Sequence, residues 1–384
     1  MQLNGINREV LEQLLQNDVK NHRDLVYRMN NTDEYKFLSN YIKATPYSRS
    51  FFENANIDYM YTKLKKELQD VVYTLGDENF SLEEKVLNFL EYIRLNGMYE
   101  SIGEKAAVLS QEAINIALLG KGVCNSQSRF LELLFIASHE EANILRIRKF
   151  EESQDIYSEH QVTVVKFDKD KFYFLDPTSY NGKLSSMRYK LSDKNFYNGK
   201  PNGLYDFYVS EEKINESRKN VYEYLIERYN IKGISERLHM EDLTDLEKQA
   251  TIITYLESIL VPVTEKVNFR SIILDGKEIE VSKALELFYY ANHIEFTPIF
   301  GKPKYNCMFL IKINDKEAAI NPPTLFSKKE NKDTLSKKWI AIRQANEEFK
   351  TIDKLNDNYD GQKIIERCRE NIKLFHKNRG IETR

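Results

Sequence analysis

The sequence predicts an α+β fold, and three observations carry that prediction. Ser81-Leu82-Glu83-Glu84 opens an amphipathic helix with a capping-box pattern. Gly120-Lys121-Gly122-Val123-Cys124 is a glycine-bearing loop that leads into another helix. Beyond it, residues 144–150, 160–167 and 172–175 are β-rich runs, the last two joined by the turn Asp168-Lys169-Asp170. Helices followed by an antiparallel set of strands place the helices on one side of a sheet.

Taken in order, residues 1–75 read as a helical cap, with Val10, Leu14 and Leu15 and then Ile57, Tyr61, Leu64 and Leu68 at helical spacing. The helix from Ser81 buries Val86, Phe89, Leu90 and Ile93 and stops at Asn96-Gly97. A further helix runs to about Ile116. The helix that starts at Cys124 has the apolar face Phe130, Leu131, Leu134 and Phe135, and Asp176-Pro177 closes the last strand. The predicted divisions are a cap over 1–75, an α+β domain over 76–230 and a second domain over 231–384. That second domain ends in a charged helical tail from about Ser327, with one apolar stripe of Trp339, Ile342 and Phe349 and another of Ile364, Ile365, Ile372 and Leu374.

A chain of 384 residues exceeds what one hydrophobic core organises, so two units are expected. Hydrophobic residues at 41% with 24 Tyr and 21 Phe supply those cores. Lys and Arg total 56 against 59 Asp and Glu, so no global field draws the chain to nucleic acid or anionic lipid. No apolar run reaches the roughly 20 residues of a membrane span, and the N-terminus lacks a signal pattern, so a cytoplasmic location is expected. Three scattered cysteines, Cys124, Cys307 and Cys368, form neither a disulfide framework nor a zinc clamp, and no cofactor is expected. A protein or peptide partner fits better, with oligomeric state open.

Amide chemistry by a thiol requires a cysteine of lowered pKa, a base and a group that holds the base. The dipole at a helix N-terminus favours an anion at Cys124. If His160 begins one strand and Asp176 ends the next across a tight turn, both side chains lie at one end of a hairpin. Alone, each residue has a plainer role: a free cysteine is commonly core, and Asp-Pro commonly ends a strand. Together, Gly-Val-Cys opening a helix, a histidine starting a strand and Asp-Pro-Thr closing the next resemble the transglutaminase-like superfamily over about residues 80–180. The preceding helix, EEKVLNFLEYI, is similar to the one that family places before its cysteine loop.

That resemblance implies a papain-type fold, with Cys124 as nucleophile, His160 as base and Asp176 as the third member, followed by Pro177 and Thr178. Gln161-Val162 departs from the small residue and aromatic that many members carry there. Gln111 and Asn115 are the candidates for an upstream oxyanion donor. The implied activity is a thiol-dependent amide hydrolase or acyltransferase, with a cysteine peptidase favoured. The alternatives are a non-catalytic protein-interaction scaffold and a small-molecule acyltransferase of the arylamine type.

Internal likeness extends the reading. Leu285 to His293 parallels Leu131 to His139, Glu247 to Tyr255 parallels Glu84 to Tyr92, and Tyr305 to Pro322 parallels His160 to Pro177. On this register Cys124, His160 and Asp176 correspond to Glu278, Tyr305 and Asn321, so the second copy is a degenerate one. Glu278 is therefore expected to be dispensable for chemistry.

Overall fold

The computed structural model describes residues 57–99, 120–151, 156–187, 199–261 and 271–299. It also describes single positions within 13–20, 113–117 and 191–197, and the pieces 308–313, 316–320 and 343–344. The fold is α+β. Two compact units divide the chain: residues 1–221 with 276–278, and residues 222–275 with 279–384. Among the described residues no helix is long and apolar enough to cross a membrane.

In the first unit, helix α1 (Ile57–Leu75) buries Leu64, Leu68, Val71, Val72 and Leu75. Helix α2 (Leu82–Asn96) starts at the predicted capping box, with the Glu84 N–H donating to the Ser81 hydroxyl and the Ser81 N–H to the Glu84 carboxylate. It stops where Gly97 donates its N–H to Ile93 at 2.7 Å. Unlike an amphipathic surface helix, α2 is buried on every side from Lys85 to Asn96. Its polar members are therefore all partnered, as burial without a hydrogen bond would cost a few kcal/mol each. Asn88 donates to the Leu75 carbonyl at 2.9 Å and accepts from Ser217 at 2.7 Å. Glu91 accepts from Arg94 at 2.6 Å and from Arg218 at 3.0 Å.

Strand β1 (Met98–Tyr99) pairs in parallel with β2 (Lys121–Gly122), which leads into helix α3 (Cys124–Ala137). Phe89 and Phe135 meet edge to face at 5.3 Å, and Tyr92 stacks near Phe130 at 6.4 Å, joining α2 to α3. The sheet follows: β3 (Ala142–Glu151), β4 (Ile156–Asp168), β5 (Lys171–Leu175) and β6 (Leu204–Asp206), in that spatial order. The first three are antiparallel and β6 is parallel to β5. Ile147, Val162, Val164, Phe174, Phe196 and Leu204 form one core of this sheet. Strand β4 begins earlier than the sequence suggested, so His160 lies inside it, opposite Ile147 on β3. The helix expected up to Ile116 falls mostly outside the described residues, although Ala113, Ile116 and Ala117 are helical and buried.

Helix α4 (Glu211–Arg228) carries the chain across the division between units. Then come α5 (Ile231–Arg237), α6 (Asp245–Ser258), the hairpin β7 (Ser271–Leu274) and β8 (Lys277–Glu280), and α7 (Val281–Ala291). Strands β9 (Phe296–Ile299), β10 (Met308–Ile313) and β11 (Lys316–Ile320) form an antiparallel meander. A short β12 (Arg343–Gln344) pairs with β11 inside the stretch expected to be helical, where it covers part of that strand's open edge.

A helix, a strand pair, a second helix and an antiparallel meander thus occur twice in that order, but the first pair is parallel with helical residues Ala113, Ile116 and Ala117 between its strands, while the second is a hairpin. Thr244 and Glu247 form a capping box as Ser81 and Glu84 do. His139 and His293 both end their helices in the left-handed region, at φ 67° and 57°. In each case a reach-back bond closes the helix, Glu140 to Phe135 at 2.8 Å and Ile294 to Tyr289 at 3.0 Å. The two helices differ at their starts. Aligned on those histidines, Glu278 stands opposite Cys124, yet it lies in β8 ahead of α7, because the chain there is extended behind the tight Asp275-Gly276 turn, both with positive φ. Tyr305, Asn321, Cys307, Cys368 and the apolar stripes of the tail lie outside the described residues.

Candidate active site

Cys124 is the first residue of α3, half-buried, with Val123 as an extended N-cap that offers no side chain to the helix. The loop before it needs its glycines. Gly120 has φ +69°, and a Cβ there would come within 2.7 Å of the Glu278 carbonyl oxygen. A Cβ on Gly122 would overlap the Ser126 hydroxyl, which donates to the Val123 carbonyl at 3.1 Å.

His160 reaches this helix end because of where β5 stops. Pairing of β4 with β5 ends at Thr163 and Leu175. Two residues further along β4, Gln161 has no partner strand on that side, and helix α3 takes its place. The Gln161 N–H donates to the Cys124 sulfur, and its carbonyl accepts from Ser128 at 2.8 Å. Thr163 in turn donates its hydroxyl to the Ser128 carbonyl at 2.8 Å. Ser128 stands one helical turn after Cys124, on the same face. Helix and strand are thereby locked in register at the thiol.

Asp176 follows β5 directly and is fully buried. Its Oδ2 lies 3.1 Å from His160 Nε2 and accepts from the Ser179 hydroxyl at 2.7 Å. Its Oδ1 accepts from the Thr178 N–H at 3.1 Å and hydroxyl at 2.8 Å. The His160 ring is also hydrogen-bonded to Cys124. With Nε2 held by Asp176, Nδ1 is the nitrogen left for the sulfur.

The charges support one another. Burial opposes ionisation of Cys124 most strongly, but the His160 hydrogen bond and charge, with the N–H groups of Gln161 and Asn125, hold the thiol below its usual range. Burial likewise disfavours a charged His160, yet hydrogen bonds to Asp176 and Cys124, reinforced by their charges, raise it from 6.5 to about 9. For Asp176 burial is again the largest single influence, overcome by His160, Ser179 and Thr178, so its carboxyl stays below the ordinary range. Each shift moves its group toward the charged form, a thiolate beside an imidazolium beside a carboxylate.

The structure therefore brings Cys124, His160 and Asp176 together, while Gln111 and Asn115 lie outside the described residues. Sequence reading had not singled out Ser179, Ser128, Thr163 or the Gln161 backbone. Hydroxyl residues just after an aspartate are the signature of a side-chain turn, and a serine one turn after Cys124 interrupts an apolar face, so both signals were present. Among the described residues no cluster of three or more His, Cys, Asp or Glu is placed to hold a metal. No protein-family model matches the sequence, and no curated protein matches it.

Proposed function

We propose that the region from about residue 76 to 221 is a transglutaminase-like thiol domain, a cysteine hydrolase or acyltransferase that acts on amide carbonyls of a protein or peptide, with peptide hydrolysis as its reaction. The observation that carries this reading is the hydrogen-bonded order Cys124, His160, Asp176, in which each group's ionisation is shifted to favour the next.

The chemistry follows from those roles. The Cys124 sulfur bonds to the amide carbonyl carbon, and the carbonyl electron pair moves onto oxygen. The Cys124 N–H, at the first position of α3, is a donor suited to that oxyanion. Collapse breaks the carbon–nitrogen bond as the His160 imidazolium gives its proton to the departing amine, leaving a thioester. Water then attacks the thioester while His160 takes its proton, and cleavage of the carbon–sulfur bond returns the thiolate and releases the acid. An amine in place of water would give a new amide.

The scaffold alternative gives no reason for so fully satisfied a carboxylate behind a histidine. The test is labelling by a thiol-directed activity probe together with turnover of fluorogenic peptide amides, in wild type and Cys124→Ala. Turnover that vanishes in the variant supports the reading, and absence of both labelling and turnover in wild type overturns it. Added hydroxylamine reports the thioester by trapping its acyl group as a hydroxamate.

A further inference from the structure

We infer that Glu278, paired with Lys121, is a positioning residue for the Cys124 loop, an assignment that rests on the thiol reading above. Residues 276–278 come from far along the chain but belong to the first compact unit. There Glu278 engages the loop twice. Its side chain forms an ion pair with Lys121, three residues before Cys124, and its carbonyl oxygen lies where Gly120 leaves room for it. Both charged side chains are nearly buried, at 4% exposure for Glu278 and 9% for Lys121.

The neighbouring Lys277 extends the same arrangement. It pairs with Glu67 on α1, which also accepts from the Tyr92 hydroxyl on α2, and Asn96 donates to that hydroxyl at 2.7 Å. Asn96 and Gly120 are further linked through the loop backbone, since Met98 donates its N–H to the Gly120 carbonyl at 2.7 Å. One buried polar network thus ties α1, α2 and the cysteine strand β2 to two consecutive residues, Lys277 and Glu278. A buried pair of this kind adds little net stability compared with an apolar pair, but it specifies one arrangement of what it joins. What it joins here is the strand that delivers Cys124 to His160 and Gln161 within β4. On this inference Glu278, expected from the sequence to be dispensable, has a role, since it stands in extended chain against the loop and its carboxylate pairs with the buried Lys121.

The test compares wild type, Glu278→Gln, Glu278→Asp and Lys121→Gln. It records the rate of Cys124 alkylation by iodoacetamide as a function of pH, and hydrogen exchange of the amides at residues 120–124. A misplaced thiol loses the His160 and Gln161 hydrogen bonds, so Glu278→Gln and Lys121→Gln should slow alkylation at neutral pH about tenfold, move its rise to higher pH and speed exchange. Glu278→Asp, which keeps the charge on a shorter arm, should fall between. Folded variants with the wild-type pH profile and exchange overturn the proposal. So does a Glu278→Gln that fails to fold while Glu278→Asp matches wild type in both readouts, since the pair would then serve stability alone. If wild-type Cys124 reacts as an ordinary thiol, the amide-cleaving reading fails, while exchange at 120–124 still decides whether Glu278 orders the loop.

Discussion

The Ser128 hydroxyl donates to the Gln161 carbonyl at 2.8 Å, and Gln161 in turn donates its N–H to the Cys124 sulfur. Removing the first bond should therefore be felt at the second. Ser128→Ala is expected to cost about 1 kcal/mol in urea unfolding and to slow alkylation of Cys124 several-fold. Because Thr163 bonds the Ser128 carbonyl, Ser128→Ala with Thr163→Val should lose less than the sum of the single losses. Strict additivity would mean that the two bonds do not form one clamp.

His160→Ala removes the largest influence that lowers the Cys124 pKa. The thiol is then governed mainly by burial, which raises it. Alkylation at neutral pH should fall about tenfold for each unit of that rise, and the rate should climb only in more alkaline buffer. Mass-spectrometric rate measurement across pH checks this, and an unchanged profile would show that His160 does not act on the sulfur.

Asp176→Asn acts in the opposite direction on the histidine. The hydrogen bond to Asp176 is the largest influence raising His160 to about 9, so its loss should return the ring toward 6.5. Turnover that depends on a protonated His160 should persist in wild type until the pH rises through about 9. In the variant its alkaline limb should move toward neutrality, and the maximum rate should drop. Ser179→Ala, which leaves Asp176 both Thr178 bonds, should shift that limb less.

Arg218 and Arg94 share the buried carboxylate of Glu91, and burial is the influence they must overcome to keep it ionised. Arg218→Met should destabilise the first unit by about 3 kcal/mol, as removing one partner of a buried pair does, without altering the alkylation profile of Cys124 relative to folded protein. Chemical denaturation measures the first effect. A loss below about 0.5 kcal/mol, typical of exposed pairs, would mean that Glu91 is solvated.

Local rules made much of this legible. Ser81 and Glu84, Thr244 and Glu247, and the turn at Asp168-Lys169-Asp170 each declare an element by contacts within a few residues. The pairing of Cys124 with His160 and Asp176 could be proposed because Cys124 opens a helix and Asp176 follows a strand, while His160 lies inside β4 and not at its start. What sequence alone could not supply were contacts whose partners lie far apart. Nothing near Glu278 announces Lys121, and nothing near Arg218 announces Glu91. The burial of α2 on every side was also hidden, since its charged and amide side chains imitate a solvent face until their partners are seen. Strand β4 reaches back to Ile156 because pairing with β3 holds Ser158 and Glu159 extended, although neither residue has strong β character.

The early end of β5 has one more implication. A strand residue has one N–H and one carbonyl, and Gln161 can give that pair either to another strand or to a helix, not to both. In the β4–β5 register Gln161 would stand opposite Pro177, which has no N–H to give, so the Gln161 carbonyl is left to the Ser128 hydroxyl. The thiol thus occupies a gap in the sheet's own bonding, and the end of one five-residue strand leaves Gln161 to the helix that carries Cys124.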